Sequence, residues 1–183
     1  MNLDAITPGK NPPNDVNVII EIPGGASGGS PVKYEIDKES GALAVDRIVN
    51  VPMFYPNNYG FVPNTLHEDG DPVDVMVRTE VSLFPGSLIR CRLIGVLHME
   101  DDGGPDDKLI ALPIEAIDPF QAEIQDLRDL PSRHRERIWH FFENYKRLEA
   151  GKWAKVIGWG DKTDAKKILM DSIKRAKKGK TAA

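Results

Sequence analysis

The sequence predicts an α+β protein, mainly β, in which a small closed or sandwiched antiparallel sheet is followed by two helices. β-Branched and alternating runs bounded by Gly or Pro fill the first two thirds of the chain. Two stretches with apolar residues at helical spacing come after them. The length of 183 residues is that of one domain. We therefore expect residues 1–183 to form a single domain, with a basic tail at about 177–183.

The predicted strands alternate with turn-forming residues. Val16–Ile22 is a β-branched run that ends at Pro23, and the glycine-rich segment Gly24–Ser30 then forms a flexible connection to the alternating run Val32–Ile36. Further strand candidates are Ala42–Arg47, Asp74–Arg78, Ser87–Met99 and Lys108–Ile114. Short strands punctuated in this way are typical of a barrel or a sandwich.

Two helices are predicted in the last third of the chain. Between Ser132 and Ala150, apolar residues recur at helical spacing, and Gly151 suits a C-terminal cap. A second apolar stripe runs from Asp161 to Lys178, with Asp161 or Thr163 as the N-cap. We expect both helices to pack at one side of the sheet.

Composition excludes several classes of protein. The chain has one cysteine, Cys91, so it has no intrachain disulfide, and a reducing cytoplasm is its expected location. No apolar run approaches the length of a membrane span, and the N-terminus lacks the apolar stretch of a signal peptide. A secreted, membrane-embedded or disulfide-stapled protein is therefore not expected.

The net charge of −4 conceals an uneven distribution. Residues 62–107 carry ten acidic and three basic side chains, whereas residues 133–183 carry six acidic and fifteen basic ones. An acidic centre repels polyanions unless cations bridge the two. No signature of nucleic-acid binding stands out, and we expect no nucleic-acid partner.

Two acidic clusters are the strongest candidates for chemistry. Asp69, Asp71 and Asp74 fall within six residues, at a bend that Gly70 and Pro72 enforce. The second cluster, 100–107, connects two predicted strands and contains Asp101 and Asp106. Each cluster alone is consistent with a solvated acidic turn. If both meet at one end of a barrel, their oxygen ligands favour Mg²⁺ or Mn²⁺ over zinc.

Other charged and aromatic residues could supply the rest of a site. On the two first strands the charged side chains lie on the face opposite the apolar one, which is also where ordinary surface residues lie. The aromatic segment 54–60 is equally consistent with an anchored loop, and Tyr145 with simple core packing. The candidates are Glu21, Lys33, Glu35, Arg47, Tyr55, Tyr59, Lys108, Tyr145 and Lys146.

Several collinear motifs together resemble the soluble family I inorganic pyrophosphatases of the bacterial type. The resemblance extends over essentially the whole chain, in the right order. Its core is the string Asp-Gly-Asp-Pro-Val-Asp-Val at 69–75. The other matching segments are Lys33–Gly41, Phe54–Gly60, Pro85–Arg92, His140–Lys146 and Lys152-Trp153.

The resemblance implies a five-stranded OB-like antiparallel barrel with two flanking helices, assembled as a homohexamer. It implies an inorganic diphosphatase that uses several Mg²⁺ ions per site, with Mn²⁺ as an alternative, to hydrolyse pyrophosphate to two orthophosphates by in-line attack of a metal-activated water. The implied metal ligands are Glu21, Asp69, Asp74, Asp101 and Asp106. The implied general base is Asp71. The implied phosphate-binding residues are Lys33, Arg47, Tyr55, Lys108, Tyr145 and Lys146, supported by Glu35 and Tyr59.

Two other functions remain open from the residues alone. A non-enzymatic OB-type module that binds polyanions would need a basic, aromatic-lined groove, whereas this chain gathers carboxylates at the candidate site. A metal-dependent nucleotide hydrolase would need an element that stacks a base or binds a ribose, and none is readable in the sequence.

Overall fold

The computed structural model describes residues 1–25 and 29–182, so part of the predicted connection Gly24–Ser30 lies outside the described residues. Within them the chain forms nine strands, two α-helices and three short 3-10 segments. The strands and helices are β1 (Val16–Ile22), β2 (Val32–Ile36), β3 (Leu43–Ile48), β4 (Asn58–Phe61), β5 (Asp74–Val77), β6 (Leu88–Asp101), β7 (Gly104–Pro105), β8 (Lys108–Pro113), α1 (Ser132–Asn144), β9 (Ala154–Gly160) and α2 (Lys162–Ala182).

Five of the strands close into a ring. Neighbours pair in the order β1, β4, β5, β8 and β6, and β6 also pairs with β1. The predicted five-stranded barrel with two helices is therefore confirmed. One pair departs from the predicted antiparallel sheet, because β5 and β8 run parallel, with Asp74 opposite Lys108. β8 follows β6 through a hairpin and is antiparallel to it. Because β5 also runs opposite to β6, β8 has the same direction as β5 where the two lie side by side.

The six predicted strands all exist, with ends within two residues of those expected. Three strands were not predicted. β4 is a four-residue segment, Asn-Tyr-Gly-Phe, that is too short and too glycine-containing to show alternation. β7 has only two residues, and β9 is interrupted by Gly158.

The helices differ from the prediction at their C-terminal ends. α1 ends at Asn144 rather than Ala150, because the chain tightens into successive turns in which Arg147 N donates to Asn144 O and Glu149 N donates to Lys146 O. α2 continues to Ala182, and Asp161 is its cap, since its carboxylate accepts hydrogen bonds from the backbone of the first turn. Among the described residues, neither helix is long and apolar enough to span a membrane.

The strands of the five-stranded ring are buried on both faces over most of their length, which explains their nearly continuous apolar sequences. Ile110 on β8 belongs to the core that contains Ile138 and Phe142 of α1. The next residue before it, Leu109, belongs to the core that contains Leu169 of α2. α1 and α2 therefore cover opposite faces, rather than the same side of the sheet as predicted.

Candidate active site

A cleft of about 1360 Å³ opens where β5 and β8 begin and β6 ends. The β2–β3 hairpin, the loop between β4 and β5 and the end of α1 contribute to its walls. All of the site residues expected from the sequence line this one cleft, although their roles remain predictions. They are Glu21, Lys33, Glu35, Arg47, Tyr55, Tyr59, Asp69, Asp71, Asp74, Asp101, Asp106, Lys108, Tyr145 and Lys146.

Lys108 lies at the base of the cleft with only 3% of its side chain exposed. Its ammonium group donates to Asp74 Oδ2 at 2.5 Å and also to Asp106. Burial by itself would lower the pKa of Lys108, but the two carboxylates outweigh it and hold the pKa well above its ordinary range. The register of β5 and β8 creates this contact, because it sets Asp74 beside Lys108.

Two carboxyl groups of the cleft are buried. Burial raises the pKa of Glu21 to about 8, although its Oε1 accepts a hydrogen bond from Ile36 N at 2.8 Å. Burial and the neighbouring Asp74 raise the pKa of Asp106 to about 6, against the effect of Lys108. A nearby cation favours the ionised form of such buried carboxyl groups, because ionisation without an opposite charge costs free energy there.

A second cation joins the acidic turn of 100–107 to the end of α1. Lys146 Nζ lies 2.5 Å from Asp101 Oδ2 and 3.1 Å from Asp102 Oδ1. Burial opposes the shift, but the hydrogen bond from Lys146 lowers the pKa of Asp101. Lys152 donates to the other oxygen of Asp102 at 2.6 Å. The early end of α1 matters here, because it sets Lys146 in the turn that faces these carboxylates.

The β2–β3 hairpin supplies one wall of the cleft. Lys33 and Arg47 are register partners, and both line the cavity. Lys33 pairs with Glu35, as its place on the same strand face predicts, and lies 3.4 Å from Asp46. Arg47 pairs with Asp46 at 3.1 Å and with Glu149 at 3.3 Å. The wall therefore carries two cations surrounded by carboxylates.

The acidic turn at 69–71 projects from the loop between β4 and β5. Gly70 adopts a φ of 95°, a conformation that favours glycine, and Asp69 accepts a hydrogen bond from Asp71 N at 2.9 Å. The side chain of Asp71 is 71% exposed and pairs at 2.7 Å with Lys38 of the β2–β3 turn. Asp71 is the most accessible of the ion-paired carboxylates in the cleft, which suits a group that must meet a water molecule.

An aromatic cluster closes the floor of the cleft. The ring of Tyr55 lies 5.1 Å from that of Tyr59 and 4.7 Å from that of Phe141. Tyr145 stacks on Phe141 with the ring centroids 5.5 Å apart, and it also lines the cleft. It therefore packs in the core and contributes to the cleft at the same time. Burial raises the pKa of Tyr55, Tyr59 and Tyr145. The three phenols stay neutral and can donate hydrogen bonds.

The structure adds charged residues that were not named as site candidates. Lys38 and Asp102 line the cleft, whereas Asp46, Glu149 and Lys152 form ion pairs with residues that line it. Lys38, Asp46, Asp102, Lys152 and Glu149 form the ion pairs described above. Asp102 stands in the second acidic cluster, and Lys38 and Lys152 lie in segments that match the family's motifs. Asp46 on β3 and Glu149 in the turns after α1 had no signal, because no periodic pattern predicts their ion pairs.

Two histidines without a recognised pattern in the sequence converge on Asp107. His98 Nδ1 lies 2.9 Å from Asp107 Oδ1, and His67 Nε2 lies 3.7 Å from Asp107 Oδ2. Burial would lower the pKa of His67, but Asp107 and Asp69 outweigh burial and raise it. The cluster of His67, His98 and Asp107 adjoins the cleft through Asp69, which His67 faces and which lines the cleft.

Comparisons with known proteins agree with these features. The profile of the protein family described as inorganic pyrophosphatase matches residues 18–177 of the chain. A protein named inorganic pyrophosphatase from Xanthomonas campestris pv. campestris is 54% identical over 175 residues, which span 96% of this chain and 97% of that protein.

Solved structures give the same result. An inorganic pyrophosphatase from Coxiella burnetii superposes with a TM-score of 0.88 at 50% identity, covering 93% of this chain and 99% of that one. The inorganic pyrophosphatase from Thermus thermophilus gives a TM-score of 0.90 at 42% identity, covering 97% of this chain and 99% of that one.

Glu21→Gln is expected to stabilise the metal-free protein at high pH. The folded-state pKa of about 8 exceeds the ordinary value of 4.5, so the folded state binds more protons between these values and its stability falls as pH rises. The glutamine removes this loss and keeps an acceptor for Ile36 N. Urea unfolding in EDTA should show the variant more stable above pH 8, by no more than about 5 kcal/mol, and equally stable near pH 4.

The matched control is Asp171→Asn, which removes a half-exposed carboxylate on α2. This control should not reproduce the pH-dependent difference. A stability difference between Glu21→Gln and the wild type that is the same at both pH values would contradict the buried, protonated state of Glu21.

Proposed function

The chain belongs to the soluble family I inorganic pyrophosphatases, and from that premise we propose that its cleft is a divalent-cation-dependent active site. The protein hydrolyses inorganic pyrophosphate to two orthophosphates. It is an enzyme, and the alternative of a non-enzymatic polyanion-binding module is set aside. The observation that supports the site is the alternation of carboxylates with lysine and arginine side chains in one cleft.

The donor set fits Mg²⁺ or Mn²⁺. The assigned ligands Glu21, Asp69, Asp74, Asp101 and Asp106 offer carboxylate oxygens only, which hard divalent cations prefer. Among the described residues, no group of three or more carboxylate, imidazole or thiol side chains is placed to hold a metal ion. Lys108 and Lys146 lie between the carboxylates instead. Ion binding therefore requires these ammonium groups to give up their carboxylate partners.

This exchange links the two halves of the site. Lys108 pairs with Asp74 and Asp106, and Lys146 pairs with Asp101. These lysines are assigned to pyrophosphate and these aspartates to metal. If divalent cations occupied the carboxylates, the ammonium groups would be free to donate to phosphate oxygens. Cation binding and substrate binding then favour each other.

Pyrophosphate is held by groups from every wall of the cleft. A bound divalent ion supplies neutralisation of phosphate charge and a lower pKa for water. The protein cations that donate to phosphate oxygens are Lys33, Arg47, Lys108 and Lys146, and the phenols of Tyr55 and Tyr145 add neutral donors. Glu35 orients Lys33, and Tyr59 packs beside Tyr55. Together the lysine, arginine and tyrosine donors stabilise the negative charge on the departing phosphate.

Asp71 acts as the general base. Its exposed carboxylate takes a proton from the water that attacks one phosphorus in line with the leaving phosphate. The pairing with Lys38 keeps the carboxylate at the mouth of the cleft.

We place the enzyme in the cytoplasm as a homohexamer of single-domain subunits. Its single cysteine, Cys91, is buried, which fits a reducing compartment. Large apolar side chains such as Val45, Ile48, Phe84 and Phe120 are more than half exposed, and contacts between subunits would cover such groups. Light scattering should give the mass of six chains of 20.3 kDa, and a monomeric mass would contradict the assembly.

Phosphate release tests the reaction and its substrate together. Pyrophosphate with Mg²⁺ should be hydrolysed rapidly, EDTA should abolish release, and ATP in its place should give little. Release from ATP at a comparable rate would favour a nucleotide hydrolase. No release with any divalent cation would mean that the family's motifs stand on an inactive scaffold.

Asp71→Asn should lower kcat by about 10²–10⁴-fold, because the amide cannot accept the proton. Direct titration with Mn²⁺ should show unchanged metal binding, since Asp71 is not assigned as a ligand. Asp171→Asn removes a carboxylate that does not line the cleft and should keep the wild-type kcat. Near-normal turnover in Asp71→Asn would assign the base to another group.

A further inference from the structure

The loop that carries Asp69 is closed at its neck by its own hydrogen bonds. Val62 N donates to Val73 O at 3.0 Å, and the Thr65 hydroxyl bridges the same two residues. Nearer the tip, His67 N donates to Asp71 O at 2.6 Å, and Gly70 N donates to His67 O at 3.3 Å. Both backbone polar groups of His67 are therefore used inside the loop.

The imidazole of His67 points out of the loop into the protein. Only 6% of the side chain is exposed, so water cannot satisfy its ring nitrogens freely. Nδ1 lies 3.9 Å from Asp69 Oδ1, and Nε2 lies 3.7 Å from Asp107 Oδ2. One ring thus stands between a carboxylate of its own loop and a carboxylate of the segment that precedes β8.

Asp107 is itself fixed. His98 on β6 holds its Oδ1 at 2.9 Å, and the residues on either side of Asp107, Asp106 and Lys108, both line the cleft. The backbone of Asp106 is also tied to β6, since its N–H donates to Met99 O at 2.8 Å. Asp107 therefore has a fixed position, and a contact with it can restrain the neighbouring loop.

Asp69 needs such a tie more than the other acidic residues do. The strand register sets Asp74 opposite Lys108, whereas Asp69 lies outside every strand. Helix α2 holds the loop before Asp69, because Leu66 N donates to Ser172 O at 3.1 Å and Arg175 donates to Leu66 O at 2.5 Å. Within the described residues, the imidazole of His67 is the side chain that spans from Asp69 to the segment before β8.

We propose that His67 is a positioning residue that, anchored on Asp107, holds the Asp69 carboxylate toward Asp106 and thereby sets the affinity of the cleft for divalent cations. The inference rests on the proposed function, because it takes Asp69 and Asp106 as metal ligands. His67 contacts neither substrate nor reacting atoms in this account. Groups that orient metal ligands in this way contribute about 10–100-fold to metal affinity.

Binding of Mn²⁺ alone, measured by calorimetry and by electron paramagnetic resonance, tests the proposal without turnover. His67→Ala should weaken Mn²⁺ binding about 10–100-fold, and kcat at saturating metal should stay near the wild-type value. Asp107→Asn should weaken binding in the same direction. The double variant should be no worse than the weaker-binding single variant, because both changes break one link.

Two variants guard against a general loss of structure. His67→Gln keeps a donor for Asp107 and should recover part of the lost affinity, which also preserves the test if His67→Ala does not fold. Asp171→Asn, a charge removal on α2, should bind Mn²⁺ as the wild type does. Thermal unfolding in EDTA compares the folded state of each variant with the wild type.

The outcomes separate this inference from the function on which it rests. A wild-type protein that binds no Mn²⁺ would overturn the metal site and the role of His67 together. Wild-type binding that is unchanged in His67→Ala would overturn the positioning role alone. Additive losses in the double variant would also overturn it, because His67 and Asp107 would then act separately.

Discussion

One buried ammonium group organises this protein. Lys108 lies among core residues, and its charge is tolerable there only because Asp74 and Asp106 both accept from it. The parallel pairing of β5 with β8 brings Asp74 beside it. That pairing is also a step in the closure of the barrel. The strand pairing that closes the sheet therefore also brings these charges together, and the cleft forms at that place.

The same arrangement recurs around the cleft and explains how an acidic site serves an anionic substrate. Lys146 pairs with Asp101, and Lys33 pairs with Glu35. The cations are held in place by carboxylates before pyrophosphate arrives. In the proposed mechanism, divalent cations would compete for those carboxylates, so the positive groups would become available to phosphate. The acidic composition is thus a requirement of the reaction, since ions reverse the sign of the pocket.

Much of the fold and the site was predictable because local patterns carry them. Alternation in Val32–Ile36 correctly placed Lys33 and Glu35 on one face, and the apolar runs gave six strands. The parallel register and β4 were not predictable, because they depend on pairing between distant segments. The convergence of His67 and His98 on Asp107 likewise had no local signal. Motif resemblance, rather than periodicity, supplied the roles of the site residues.

In the proposed mechanism, cation binding makes the cleft competent for the anion. Equilibrium binding of methylenediphosphonate, a non-hydrolysable analogue of pyrophosphate, tests it most directly when measured in EDTA and in Mg²⁺. We expect weak binding in EDTA and binding at least about tenfold tighter in Mg²⁺. Tight, salt-sensitive binding in EDTA that Mg²⁺ does not strengthen would contradict it, because the lysines would then be available without any exchange.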